Sequence, residues 1–114
     1  MAEKESPFAC DMEAIAVDQR GEHLLKIDKL FRAVEGVREL PNGYAFRLPN
    51  ESGVLLTAAE FIVLERLCCP FLGFRLEIED EGGPVWLSLT GREGVKPFIT
   101  AEIGDRLPRT LHTE

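Results

Sequence analysis

Cysteine is scarce in this chain: there are three among 114 residues, and no two of them form a Cys-x-x-Cys pair. An odd and small number excludes a disulfide scaffold, and the missing spacing excludes the common structural zinc motifs. Basic charge is also short. Thirteen lysines and arginines face twenty aspartates and glutamates, for a net charge of -7, so a nucleic acid or an anionic membrane surface would be bound against the prevailing field. No apolar run approaches the roughly 18 residues that a membrane span requires. The best, from Phe61 to Phe74, is broken by Glu65, Arg66 and Pro70. The residues from Met1 to Pro7 lack the apolar stretch of a secretory signal, so free thiols in a reducing cytoplasm are expected. Conventional catalytic patterns are absent too. Ser6, Ser52 and Ser88 have no nucleophile-elbow context, Gly82-Gly83 lacks a phosphate-loop pattern, and the carboxylates are scattered. No catalytic residue is assigned, and the sequence leans away from an enzyme.

What is present reads as one domain over residues 8–104, with a flexible lead-in at 1–7 and a flexible tail at 105–114. Phe8, Cys10 and Met12 alternate with Ala9, Asp11 and Glu13, which predicts a short first strand. A first helix is expected over 18–35, capped by Asp18 and closed by Gly36, with Leu24, Ile27, Leu30, Phe31 and Val34 on its buried stripe. Two strands flank Pro41-Asn42-Gly43, where Asn-Gly suggests a hairpin turn with positive φ. Thr57-Ala58-Ala59-Glu60 matches a capping box and predicts a second helix from Thr57 to Leu67 or Cys68, burying Phe61, Leu64 and Cys68. Alternation over 74–78 and again over 85–89 predicts a second hairpin, and Val95 to Ile103 a last short helix with Pro97 in its first turn.

The order β-α-β-β-α-β-β-α begins with a split βαβ unit, so the expected fold is a ferredoxin-like α+β sandwich with an extra edge strand and a C-terminal helix. In that topology the first strand and the second helix run the same way. Cys10 then arrives beside Cys68 and Cys69, with Asp18, Glu22 and His23 in the neighbourhood. The outer sheet face carries Ala45, Arg47, Arg75, Glu77, Trp86 and Ser88. Trp86, placed on an edge strand, is the candidate anchor of a homodimer, because exposed strand edges tend to be paired.

The densest chemistry lies in Glu65-Arg66-Leu67-Cys68-Cys69-Pro70-Phe71. Two adjacent thiols with Cys10 as a third suit a soft ion such as Hg(II), Cu(I), Cd(II), As(III) or Zn(II). Glu65 and His23 are further candidate ligands, although a glutamate beside an arginine is usually on an exposed helix side and a helix histidine is usually solvated. His112 lies in the tail. Adjacent helical side chains diverge by about 100°, so the pair converges only where Pro70 forces Cys69 out of helical geometry. The bland alternative is that the cysteines are core residues, and the protein is then a structural or interaction module working through Trp86. A redox role is weaker, because the dipole at a helix C-terminus opposes a thiolate. Together with Gly43-Tyr44-Ala45-Phe46-Arg47-Leu48-Pro49 and Gly82-Gly83-Pro84-Val85-Trp86-Leu87, this segment resembles a group of small bacterial proteins of unknown function that share a Cys-Cys-Pro-Phe core. That resemblance covers about residues 10–98, implies a bacterial cytoplasmic protein, and supplies no mechanism.

Overall fold

A computed structural model describes residues 6–109; the first five residues of the expected 1–7 lead-in and the last five of the expected 105–114 tail, His112 among them, lie outside the described residues. The fold is α+β. It comprises α1 (Val17–Arg32), β1 (Gly36–Leu40), β2 (Gly43–Leu48), α2 (Ser52–Cys68), β3 (Gly73–Ile78), β4 (Val85–Thr90) and α3 (Val95–Ile103), with short 3₁₀ turns at Met12–Ala14 and Gly104–Arg106. The four strands form one antiparallel sheet in the order β1-β2-β4-β3.

Strand alternation sorts the sheet into two faces. The paired row Val37, Phe46, Leu87 and Leu76 points into the core, as does Tyr44, Leu89 and Phe74. These residues pack against Ile27, Leu30 and Phe31 of α1, Ala58 and Phe61 of α2, and Ile99 and Ile103 of α3. Phe31 is the hub. It meets Phe46 edge-on at 5.2 Å and Phe61 at 5.4 Å. The opposite face carries Arg38, Ala45, Arg47, Arg75, Glu77, Trp86 and Ser88, with the Arg38 guanidinium 4.2 Å above the Trp86 ring.

Several expectations are corrected. Residues 8–13 do not form a strand, and the strand order differs from the ferredoxin-like arrangement. The segment has none of the β-branched residues that favour a pleated surface, and among the described residues its backbone bonds are local except for one, from the Asp11 amide to the Cys68 carbonyl at 2.8 Å. Trp86 is not on an edge strand: β4 lies between β2 and β3, and the edges are β1 and β3. The α1 stripe is His23, Ile27, Leu30 and Phe31, whereas Leu24 is 42% exposed. Its cap positions are Ala16 and Ala33, not Asp18 and Gly36, and Gly36 opens β1. α2 begins at Ser52, so the Thr57 hydroxyl does not cap it and instead donates to the Gly53 carbonyl at 2.9 Å inside the helix.

The first hairpin also turns differently. Leu40 pairs with Gly43 around a Pro41-Asn42 loop, and neither Asn42 nor Gly43 takes a positive φ. Gly43 is required for another reason: a Cβ there would lie 1.9 Å from the Leu89 carbonyl oxygen on β4. Positive φ appears instead in the second hairpin, at Glu81 (56°) and Gly82 (71°).

Two glycine substitutions separate these effects. Gly43→Ala drives a methyl into backbone and is expected to destabilise the fold by about 3 kcal/mol or more. Gly21→Ala, at an exposed helical position with nothing within 4 Å, should stabilise it by about 0.5 to 1 kcal/mol. Urea denaturation of both variants checks the pair; a Gly43→Ala protein as stable as the parent would contradict the close approach of β2 to β4.

Candidate metal centre

Glu65 and Cys68 lie one turn apart on the buried face of α2, following Ala58 and Phe61. The helix ends because Pro70 disfavours helical geometry in the residue before it. Cys69 accordingly adopts φ -128°, ψ 68°, while its amide still donates to the Glu65 carbonyl at 2.8 Å. That departure from the helix brings the Cys69 Sγ to 3.9 Å from the Cys68 Sγ. Both thiols are fully buried.

Cys10 arrives from the other side. After the Asp11 amide ties residue 11 to the Cys68 carbonyl, the chain enters the 3₁₀ turn, whose first turn is capped by the Asp11 side chain accepting from the Glu13 amide at 3.1 Å. Upstream, Phe8 stacks edge-on against Phe71 at 5.2 Å and lies under the Arg92 guanidinium at 4.1 Å. The segment is thus clamped over the end of α2, and the sulfur atoms of Cys10, Cys68 and Cys69 all lie within 4.8 Å of one another. All three thiols are free.

A polar pair backs the thiols. His23 of α1 is fully buried and Glu65 is 2% exposed, contrary to the solvated roles expected for both. Their Nε2 and Oε1 atoms are 2.9 Å apart. The same Oε1 is 3.6 Å from the Cys68 Sγ, and Oε2 is 3.4 Å from the Cys69 Sγ. The imidazole stacks on Phe61 at 6.1 Å, and its Nδ1 finds no partner among the described residues. His23, Glu65 and Cys68 form a second set of three donor atoms within 4.8 Å, sharing Cys68 with the first. Asp18 and Glu22, expected nearby, are exposed.

The signal for the buried pair was present in the helical periods. Glu65 continues the stripe Ala58, Phe61, Cys68, and His23 precedes Ile27, Leu30 and Phe31 at the same spacing. A polar residue in phase with an apolar stripe is a buried polar residue; adjacency to Arg66 is the weaker indicator.

The environment separates the protonation states of these groups. Hydrogen bonding from Cys69 lowers the Cys68 thiol to about 6, against the opposing effect of burial and with help from His23. Burial alone would lower His23, but hydrogen bonds to Cys68 and Glu65 and their negative charge raise it to about 9. Cys69 is held up by its bond to Cys68 and by burial, and Cys10 is pushed up to about 12 mainly by burial. The folded site therefore favours one thiolate, Cys68, beside one imidazolium, with Cys69 and Cys10 as proton-bearing thiols.

Compared with protein-family models, curated proteins and solved structures, the chain matches none. The site is therefore read from its own geometry. A separate cleft of about 640 Å³ lies between α3, the turn after it, and β1-β2, lined by residues including Val37, Tyr44, Phe46 and Ile103. It shares no residue with the thiol cluster.

The paired shifts fix a pH signature. His23, raised above its ordinary 6.5, contributes stability that is complete below pH 6.5 and lost as pH rises through about 9. Cys68, depressed below 9, contributes stability that is complete above pH 9 and lost as pH falls through about 6. The two offset each other, because folding moves a proton from thiol to imidazole without changing the number bound. Stability should be nearly level from pH 6.5 to 9 and fall above 9, where Cys10 and Cys69 resist an ionisation that the unfolded chain undergoes. Chemical denaturation at stepped pH checks this, and a steep decline in the parent protein between pH 6.5 and 9 would contradict the thiolate and imidazolium pairing.

Proposed function

We propose that this protein binds one soft metal ion per chain, with Cys68, Cys69 and Cys10 as the ligands. The observation that carries the reading is the convergence of three free cysteine sulfurs, within 4.8 Å of one another, at the end of a single helix. Thiolates prefer soft ions, and the objection from the helix dipole is reversed when the ligand set holds a cation. Glu65 and His23, which back the thiols, join as alternative donors through the set that shares Cys68. The resemblance to small bacterial Cys-Cys-Pro-Phe proteins and the acidic composition fit a bacterial cytoplasmic setting for this role, where thiols stay reduced.

Because protonated thiols must become ligands, loading releases protons and binding strengthens as pH rises. Titration of the reduced protein with Cd(II), followed by thiolate-to-metal absorbance, is expected to reach an end point at one ion per chain. Cys68→Ser and Cys69→Ser should each weaken binding strongly, by at least about tenfold, and Cys10→Ser should weaken it as well. A flat titration of the parent protein would end the proposal and leave the cysteines as core residues.

A second reading rests on the open sheet face, where Trp86 lies beneath Arg38 and its buried Nε1 has no acceptor among the described residues. Aromatic and arginine side chains are enriched at protein interfaces, so this face suits a docked protein, including a second copy in a homodimer. Sedimentation at micromolar concentration should then show a dimer that Trp86→Ala dissociates. A monomer indifferent to that substitution removes this reading.

A further inference from the structure

The thiol cluster has a fourth sulfur that is not a cysteine. The Sδ of Met12 lies 3.7 Å from the Sγ of Cys10. Met12 opens the 3₁₀ turn that follows Cys10, and the residue between them, Asp11, is bonded through its amide to the Cys68 carbonyl. The backbone that carries Met12 is therefore tied to the end of the helix that carries the cysteine pair. Met12 is half-buried and packs against the core together with Phe8 and Cys10.

Two of the sulfur contacts have the length of an edge of a coordination polyhedron. Metal to sulfur bonds of about 2.3 Å arranged tetrahedrally place neighbouring sulfurs roughly 3.8 Å apart. Here Cys10 to Met12 is 3.7 Å and Cys68 to Cys69 is 3.9 Å. One contact comes from the clamped N-terminal segment and the other from the end of α2, and the three thiols all lie within 4.8 Å of one another.

We propose that Met12 is a fourth ligand of the metal centre, and that the ion it selects is Cu(I). This rests on the proposed metal-binding function and narrows its cargo. A thioether is a soft donor suited to Cu(I). It also adds a ligand without adding negative charge, which matters beside the buried Glu65 carboxyl, where each further anion is costly to bury. The set that contains His23 and Glu65 offers the harder nitrogen and oxygen donors that suit Zn(II), so the two sides of the cluster differ in the ions they favour.

The test uses the reduced full-length chain under anaerobic conditions. Cu(I) affinity is measured by competition with a chromogenic Cu(I) chelator, and Cd(II) affinity by absorbance titration, for the parent protein and for Met12→Leu. The expected result is a loss of about tenfold or more in Cu(I) affinity, with Cd(II) affinity changed by less than about twofold. Since the chain contains only two methionines, Met1 and Met12, selenomethionine labelling gives a second readout that does not depend on a variant folding. X-ray absorption at the copper edge of the labelled parent should show a copper to selenium shell, absent from labelled Met12→Leu. Unchanged Cu(I) affinity in Met12→Leu, or no selenium shell in the labelled parent, would overturn the role of Met12. A parent protein that binds Cd(II) but not Cu(I) overturns this inference alone, whereas one that binds neither overturns the metal-binding function with it.

Discussion

The hydrogen bond between His23 Nε2 and Glu65 Oε1, 2.9 Å long and shut away from water, constrains much of what surrounds it. It joins the two long helices through their buried faces, and its geometry fixes the carboxyl so that each oxygen meets a different thiol. A buried carboxyl without partners costs several kcal/mol or more, so α1 and α2 are held in the one relative position that supplies them. The ion pair from Lys26 to Glu60, at 3.2 Å on the outer side of the same helix interface, adds little because it is largely solvated. Phe61 packs between these layers, against the imidazole on one side and Phe31 on the other. Apolar core and polar cluster are therefore one packing unit, and a change in either is felt in both.

The path of the chain around this unit was only partly legible in the sequence. Strong periodic signals were read correctly: both hairpins, α3 and the end of α2 follow from alternation, helical spacing and Pro70. Residues 8–13 show where the reading fails. Alternation over six residues without β-branched side chains does not outweigh the local bonding that Asp11 offers, since an aspartate accepting from the amide two residues on stabilises a turn. Cys10 still reaches Cys68 and Cys69, but through the single backbone bond from Asp11 and not through a parallel strand. Proximity was inferred from a topology that does not exist, and the contact exists for a different physical reason.

Gly43 and Thr57 illustrate a related limit. Each stands in a pattern with a well-understood local use, a positive-φ hairpin and a capping box. In the fold each is used otherwise: Gly43 because β4 passes too close for any side chain, Thr57 because the helix had already begun at Ser52. Local motifs express what a short segment favours alone, and tertiary contact decides among the conformations it permits. His23 and Glu65 were misjudged for the opposite reason, since their immediate neighbours suggested solvent while their helical phase pointed inward.

The composition of the cluster bears on why it exists. Two buried cysteines among apolar neighbours would be unremarkable as core residues, because free cysteine behaves as a small hydrophobe. Glu65 and His23 do not fit that description. Replacing a buried ionic pair by well-packed apolar side chains is often neutral or stabilising, by about 1 to 4 kcal/mol, and the unpartnered Nδ1 of His23 adds a further cost that no contact among the described residues offsets. A core selected for stability alone has no use for a carboxyl touching two thiols. The same arrangement would become favourable with the proposed cation: the protons on Cys69 and Cys10 would leave as these thiols became ligands, and the negative charge that is expensive in an apolar interior would be neutralised by the ion. The polar cluster is thus a set of donors kept at a standing cost to the fold, a cost that the proposed ion would offset.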